Sequence, residues 1–223
     1  MRILLSGPVE GHLEAFHKKV WSEHKPHWIV CAGDYGVHPD PKLMDRAAKK
    51  HAGKDFAKMA VGMIMPPVTQ TLIIAGVHDD QQWLNRRVTA NNTEVLANVH
   101  YLHQGYQTKI GWEEPAGVRV TGLGRAYSAE TYGGSPGKRA YRHYTRHEVE
   151  RACSSGPTDL FVCYEHLEAP GIRNIIFAVR PKLILTVAHP NIKLVSEIQH
   201  IPVIALGRQE MKLVTWSGST FVQ

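Results

Sequence analysis

Carboxylate, imidazole and amide side chains follow five strand-like runs of this chain, shortly after each run ends: Glu10, Asp34, His78 with Asp79, His166, and His189 with Asn191. The carboxyl ends of parallel strands in an α/β sheet meet at a crevice where ligands bind. Oxygen and imidazole donors gathered there suit a hard or borderline divalent cation. The sequence therefore predicts a metal-assisted site at one edge of a sheet.

The elements that must position these side chains are short apolar runs bounded by Gly or Pro, with helical patterns between the early ones. Strands are predicted at 2–6, 27–33, 71–76, 99–104, 108–112, 118–124, 159–166, 182–189, 201–207 and 212–218. Helices are predicted at 12–24, 41–62, 80–87, 146–153 and 171–179. This pattern predicts an α/β fold, a two-sheet β-sandwich flanked by helices. No linker or repeat divides residues 1–223, so we expect a single domain.

The composition is that of an ordinary globular protein. Of 223 residues, 43% are hydrophobic and 21% are charged, which suits one well-packed core. No segment resembles a signal peptide or approaches the length of a membrane span, and no membrane partner is expected. The three cysteines have no metal-type spacing, which favours a reducing, cytoplasmic location. The net charge of +6 permits an anionic partner.

The order and spacing of "RILLSGPVEG", "LIIAGVHDD", "FVCYEH" and "LILTVAH" resemble the calcineurin-like metallophosphoesterase superfamily across nearly the whole chain. The resemblance implies a four-layer αββα sandwich that binds two metal ions between its sheets. It also implies hydrolysis of phosphomono- or diesters by a metal-activated water. The stretches "VTGLGRAYS" and "RHYTRHEVER" are similar to the lariat-debranching branch, whose members act on RNA. A phosphate ester, a nucleotide or a nucleic acid is therefore an expected partner.

Four residues match the family motifs, and the resemblance implies a role for each. Asp34 stands at the position of the bridging metal ligand, and His189 matches the first histidine of the last motif. His78 stands at the position of the proton donor or transition-state stabiliser, held by the neighbouring Asp79. The alternative for Asp34 is a turn or helix cap, and the alternative for His189 is a buried structural histidine.

Several departures from the family pattern remove or alter metal ligands. Pro8 replaces an aspartate, Glu10 and Asn191 each replace a histidine, Val77 replaces an asparagine, and Tyr164 or His166 occupies the lone-histidine position. A two-metal clamp must hold both ions a few ångströms apart, and this set does not support one. One ion on Asp34, His166 and His189, with Glu10 and Asn191 assisting, is the remaining arrangement. The alternative to metal binding is that Glu10 lies in a solvated loop and that His166 is an exposed histidine at the end of a strand.

Basic residues offer a second kind of site. Arg125 follows a strand and a glycine turn, so its guanidinium is a candidate phosphate ligand. The segment 137–151 interleaves Arg139 and Arg142 with tyrosines, which suits a single-stranded nucleic acid. A solvated surface is the alternative for both features.

The sequence thus leads to two hypotheses. In the first, the chain keeps the metallophosphoesterase scaffold with an eroded metal site, has little or no catalytic activity, and acts by binding a partner, including a protein. In the second, it is a divergent phosphoesterase with one divalent ion, either Mn, Zn, Fe or Mg. The expected cofactor is accordingly one metal ion or none.

Overall fold

The computed structural model describes residues 1–89, 92–111, 117–134, 137, 140–190, 192 and 195–222. The strands within these ranges are β1 (Arg2–Ser6), β2 (Trp28–Ala32), β3 (Gln70–Ile74), β4 (Glu94–Leu96), β5 (Val99–Tyr101), β6 (Gln107–Ile110), β7 (Val118–Leu123), β8 (Leu160–Cys163), β9 (Leu183–Val187), β10 (Glu197–Ile198), β11 (Ile201–Leu206), β12 (Met211–Trp216) and β13 (Phe221–Val222). The helices are α1 (Leu13–Glu23), α2 (Arg46–His51), α3 (Asp55–Ala60), α4 (Gln81–Arg87), α5 (Ala129–Tyr132), α6 (Arg146–Cys153) and α7 (Ile172–Val179), with 3-10 turns at Pro41–Leu43 and Ala140–Arg142.

The strands assemble into two sheets. The first has the order β13-β12-β1-β2-β3-β5-β4, and the second has the order β10-β11-β9-β8-β7-β6. In the first sheet β1, β2, β3 and β5 run parallel, and in the second β7, β8, β9 and β11 do. Parallel neighbours need crossover connections, which α1 supplies between β1 and β2 and α7 supplies between β8 and β9.

Alternate residues of each central strand face opposite layers. In β1, Ile3 and Leu5 belong to the apolar cluster between the two sheets. Leu4, between them, packs in the cluster that contains Leu13 and Phe16 of α1. Because side chains alternate along a strand, both faces of the sheet are buried at once.

The second sheet is covered in the same way. Val162 of β8 faces the cluster between the sheets, while Phe161 packs in the cluster formed with α6 and α7. The layers are therefore helix, sheet, sheet and helix. This arrangement confirms the predicted two-sheet α/β sandwich and is compatible with a metallophosphoesterase-like fold.

The predicted single helix over 41–62 is wrong. The stretch forms a 3-10 turn followed by the separate helices α2 and α3. Gly53 between them lies against the backbone of Gly11, where an added Cβ would come within 2.2 Å of the Gly11 carbonyl oxygen. The Gly53 N–H also donates to the Glu10 carbonyl at 2.7 Å. The break thus lets the segment hold the turn at Glu10 and Gly11.

Several predicted strands are shorter in the structure than the sequence pattern indicates, and two of these were expected to end at candidate site residues. The predicted strand 159–166 ends at Cys163, and the predicted strand 182–189 ends at Val187. Tyr164, His166 and His189 consequently lie in the loops after β8 and β9. Across the described ranges, no helix is long and apolar enough to cross a membrane.

Candidate functional site

The centre of the candidate site is the carboxylate of Asp34, in the loop after β2. Asp34 is 4% exposed and adopts a left-handed backbone conformation with φ of 38°. Its Oδ1 accepts a hydrogen bond from the His78 backbone N–H at 2.8 Å. Its Oδ2 accepts one from the Tyr164 hydroxyl at 2.7 Å. The second bond joins the two sheets, since Asp34 follows a strand of one and Tyr164 a strand of the other.

Two glycines permit this close approach. A Cβ on Gly76 would lie 2.2 Å from Asp34 Oδ1, and a Cβ on Gly33 would lie 2.1 Å from Tyr164 Cδ2. Gly33 also has a positive φ of 82°, which side-chain-bearing residues rarely adopt. Both strand ends must therefore carry glycine for Asp34 and Tyr164 to meet.

Burial sets the protonation of this pair. Burial, followed by the charge of Asp79, raises the pKa of Asp34 to about 6, against the lowering effect of its hydrogen bonds. Burial and the charge of Asp34 raise the pKa of Tyr164 well above its ordinary value. The Tyr164 hydroxyl therefore keeps its proton and acts as the donor.

Asp79 is bonded to the backbone rather than to the His78 ring. Its Oδ1 accepts from the N–H groups of Gly36 and Val37, each at 2.8 Å, and its Oδ2 accepts from the Gly76 N–H at 2.9 Å. A carboxylate with three backbone donors organises the loops around it. The expectation that Asp79 holds the His78 imidazole differs from this geometry.

The carboxylate that contacts the His78 ring is Asp45, a residue that sequence reasoning missed. Asp45 Oδ2 lies 2.8 Å from His78 Nδ1 and accepts a hydrogen bond from Arg142 Nη2 at 2.7 Å. Asp45 Oδ1 caps α2 by accepting from the Ala48 N–H. Burial acts to raise the pKa of Asp45, but these hydrogen bonds and the Arg142 charge outweigh it and lower the pKa to about 2. An aspartate before a helical run was the one available signal.

The two predicted substrate arginines that the structure describes, Arg125 and Arg142, are each engaged in an ion pair with a carboxylate. Arg142 pairs with Asp45. Arg125 is 6% exposed, and its Nη2 donates to Glu148 Oε1 at 3.0 Å while its Nη1 donates to the His143 carbonyl at 3.1 Å. The Arg125 guanidinium is thus held inside the protein, which differs from the expected phosphate contact. Arg139 lies outside the described residues.

His166 and His189 do lie close together, around the buried Glu165. Their ring centroids are 6.2 Å apart, and their Nε2 atoms lie 3.7 and 3.8 Å from Glu165 Oε1. Glu165 Oε2 accepts from the Tyr127 N–H. It is Tyr164, and not His166, that contacts Asp34. The other predicted residue of this group, Asn191, lies outside the described residues.

The loop after β1, which carries Pro8 and Glu10, is held by main-chain hydrogen bonds and an ion pair. Glu10 has a positive φ of 55°, its N–H donates to the Asp34 carbonyl, and its carboxylate pairs with Arg208. The Pro8 carbonyl accepts from the Gln209 N–H at 2.8 Å. Glu10 therefore lies beside Asp34 but is already bonded to a cation.

The residues present do not fit the two-metal centre that the resemblance implies. Both oxygens of Asp34 accept hydrogen bonds from protein donors, and Glu10 pairs with Arg208. In the part of the chain that the structure describes, no group of three or more His, Cys, Asp or Glu side chains is arranged to hold a metal ion. The donors are present in number, but contacts within the protein orient them, and those that the structure describes do not converge on one point.

A small cavity of about 60 Å³ opens beside Asp34. Its lining consists of Glu10, Asp34, Gly36, His38, Ala47, Ala48, Ala52, His78 and Asp79. His38 is 5% exposed, and its Nε2 has no hydrogen-bond partner among the described residues. Burial lowers the pKa of His38, which favours a neutral imidazole.

Comparison with known proteins finds similar folds and gives no information about the chemistry of the site. No protein-family model matches the chain, and the search of curated proteins gives no significant match. One solved structure is similar over 97% of this chain and 99% of its own, with 15% identity and a TM-score of 0.59. The structure of TT1561 of Thermus thermophilus is similar over 93% of this chain and 89% of its own, with 18% identity and a TM-score of 0.58.

A third solved structure, described as a novel archaeal phosphodiesterase, covers 100% of this chain and 98% of its own at 10% identity, with a TM-score of 0.43. The first two likenesses extend to the fold alone.

Proposed function

We propose that this chain is a metallophosphoesterase-fold protein whose two-metal site has been lost, and that it acts by binding a ligand or partner at the crevice around Asp34. The observation that carries the proposal is the pair of hydrogen bonds on the Asp34 carboxylate, from the His78 N–H and the Tyr164 hydroxyl. A hard divalent cation needs several oxygens that converge on it, and no such group of carboxylates and histidines exists among the described residues. Here the first-motif carboxylate, Glu10, is also paired with Arg208.

Displacing these contacts would leave polar groups buried without partners. Asp34 is 4% exposed, and Tyr164 reaches it from the opposite sheet. A buried donor or acceptor that loses its partner costs about 1–3 kcal/mol. An incoming ion would have to offset that cost before it gained any affinity.

The test is the metal content of protein purified without chelators, measured beside that of Asp34→Asn. We expect no stoichiometric metal in either protein, no change in melting temperature with Mn²⁺ or Zn²⁺, and no hydrolysis of bis-p-nitrophenyl phosphate. The proposal fails if the wild type holds about one ion per chain, Asp34→Asn loses it, and a Mn²⁺-dependent hydrolysis disappears in His78→Ala.

The second candidate is a phosphoesterase that uses one divalent ion, either Mn, Zn, Fe or Mg. The approach of His166 and His189 to Glu165 favours it, because two imidazoles and a carboxylate are a common donor set, although the three side chains would have to turn towards one point to hold an ion. A metal content that falls in His189→Ala and not in Asp34→Asn would support this candidate. A phosphate ester or nucleotide would then be the substrate class.

Nucleic-acid binding and a cytoplasmic location stay predictions. Binding to a single-stranded oligonucleotide should weaken steeply with salt and should fall in the double variant Arg139→Ala, Arg142→Ala. The double variant also removes the ion-pair partner of Asp45, which disturbs the segment itself. If binding is unchanged despite that disturbance, the segment is not a nucleic-acid site.

A further inference from the structure

We propose that the cavity lined by Asp34, His38 and His78 binds a primary alkylammonium group. The inference rests on the proposed function, since both place a ligand in this crevice, and it names the chemical class of that ligand. It follows from the hydrogen-bond acceptors that line the cavity, from its charge and from its size.

Three acceptors are available in the cavity wall. His78 Nδ1 lies 2.8 Å from the Asp45 carboxylate, which can only accept, so Nδ1 carries a proton; in the neutral imidazole Nε2 then offers a lone pair. His38 is buried, and its Nε2 has no partner in the described part of the chain. Each Asp34 oxygen accepts one hydrogen bond, which leaves lone pairs on both. An ammonium group carries three donors and no acceptor, which matches this set.

The charges around the cavity favour a cation over a phosphate. None of the described residues that line it is lysine or arginine. The nearby arginines are engaged, Arg142 with Asp45 and Arg208 with Glu10. The remaining carboxylates, Asp34 and Asp79, are bonded to a hydroxyl and to backbone N–H groups, which do not cancel their charge. In a poorly solvated cavity, such uncancelled negative charge attracts a cation and repels an oxyanion.

The volume of the cavity and the alanines in its wall fit the nitrogen and the first carbon atoms of an alkylamine. About 60 Å³ is room for a few heavy atoms, and a single water needs about 10–15 Å³ of such volume. Ala47, Ala48 and Ala52, from α2 and the residue after it, also line the cavity. Their methyl groups offer contacts to the methylenes next to the nitrogen, which distinguishes an alkylammonium from a hydrated inorganic ion.

The experiment compares n-butylamine with n-butanol, which share an alkyl chain and differ in charge. Each is titrated into the isotope-labelled full chain in an amine-free buffer, and amide shifts are followed by NMR. We expect butylamine to shift the amides of Gly36, His38, Ala48 and His78, and butanol to bind at least about tenfold more weakly, because a hydrogen bond from a charged donor is roughly twice as strong as a neutral one. Equal binding of the two, or no shifts at these amides, would overturn the proposal.

Variants locate the site. His38→Phe and Asp34→Asn should each weaken butylamine binding about tenfold, while Glu23→Gln, a charge-neutralising change on the exposed end of α1, should leave it unchanged. An equal loss in all three would refute a local site. If His38→Phe does not fold, the wild-type shift map decides the proposal alone.

A blocked lysine, Nα-acetyl-lysine amide, distinguishes the two sources of an alkylammonium group, which are a lysine side chain and a free amine. Binding of both ligands supports the proposal and points to a lysine side chain of a protein partner, whereas binding of butylamine alone supports it for free amines. If the metal-free protein binds no amine, this inference is refuted, whereas the proposed function is not. Stoichiometric Mn²⁺ binding that displaces butylamine would instead refute the proposed function.

Discussion

Replacing Asp34 with asparagine should stabilise the protein at neutral pH. Burial raises the pKa of Asp34 from 3.8 to about 6, so the folded state disfavours the ionised carboxylate. Each pKa unit corresponds to about 1.36 kcal/mol, and the ionised carboxylate therefore costs about 3 kcal/mol of folding free energy above pH 6. Asparagine is neutral at every pH and does not carry this cost.

The sign of the pH dependence follows from proton binding. Below pH 3.8 the carboxyl is protonated in both states, and this contribution to stability is fully present. Between pH 3.8 and 6 the folded state holds the proton that the unfolded state has lost, so the free energy of unfolding falls as pH rises. The loss is complete once the pH has passed through the folded pKa of about 6.

The amide can also keep part of the hydrogen bonding. Its oxygen can accept from the His78 N–H, but its NH₂ group must then face the Tyr164 oxygen, which would have to turn its own proton elsewhere. Allowing for that rearrangement, we expect a gain of about 1–3 kcal/mol at pH 8.

The assay is urea unfolding followed by tryptophan fluorescence at pH 5 and pH 8, for the wild type, Asp34→Asn and Glu23→Gln. The gain in Asp34→Asn should be larger at pH 8 than at pH 5, and Glu23→Gln should show little difference between the two. A pH-independent difference, or an Asp34→Asn protein that is less stable at pH 8, would refute the reasoning. The carboxylate would then be stabilised by its hydrogen bonds more than burial destabilises it.

Three further changes test the surroundings of the site by the same unfolding assay. Glu148→Gln leaves the Arg125 guanidinium buried without its carboxylate and should cost about 3–5 kcal/mol, and a loss below about 1 kcal/mol would contradict the internal ion pair. Gly76→Ala places a Cβ 2.2 Å from Asp34 Oδ1 and should cost about 1–3 kcal/mol, whereas an unchanged midpoint would show that the loop adjusts freely. Thr145→Ala removes the capping box of α6 and should cost about 1 kcal/mol, and a neutral result would argue that the cap is not needed.

Most of the fold could be predicted because local patterns and tertiary burial agree. The apolar run at 2–6 matches β1, and the predicted helix 146–153 matches α6, where Thr145 and Glu148 form a capping box. The region 41–62 misled the prediction because a helical composition is interrupted by the contact between Gly53 and Gly11, which are far apart in sequence. The short strands β4 and β13 carry too few residues for a periodic signal.

The candidate site was less predictable, since its decisive contacts join distant segments. Tyr164 lies 130 positions from Asp34, and no spacing rule relates the two. Asp45 meets Arg142 across 97 positions, although its role as a helix cap was open to prediction. Sequence reasoning placed Asp34, His78 and His189 shortly after strands, which the structure shows, but could not tell which contacts their side chains would make within the protein.

The pairing of β1 with β12 has a consequence for how the chain acquires its structure during synthesis. β1 lies between β2 and β12 in the first sheet, and Met1 and Trp216 exchange hydrogen bonds at 2.8 Å. On the ribosome, β2 becomes available to β1 early, but β12 emerges only after the whole second sheet. Until then β1 presents an open, apolar edge, which is the kind of surface that pairs with other chains. The nascent protein should therefore depend on chaperones until residues 211–216 emerge, and late translational arrest should yield aggregates rather than a stable partial domain.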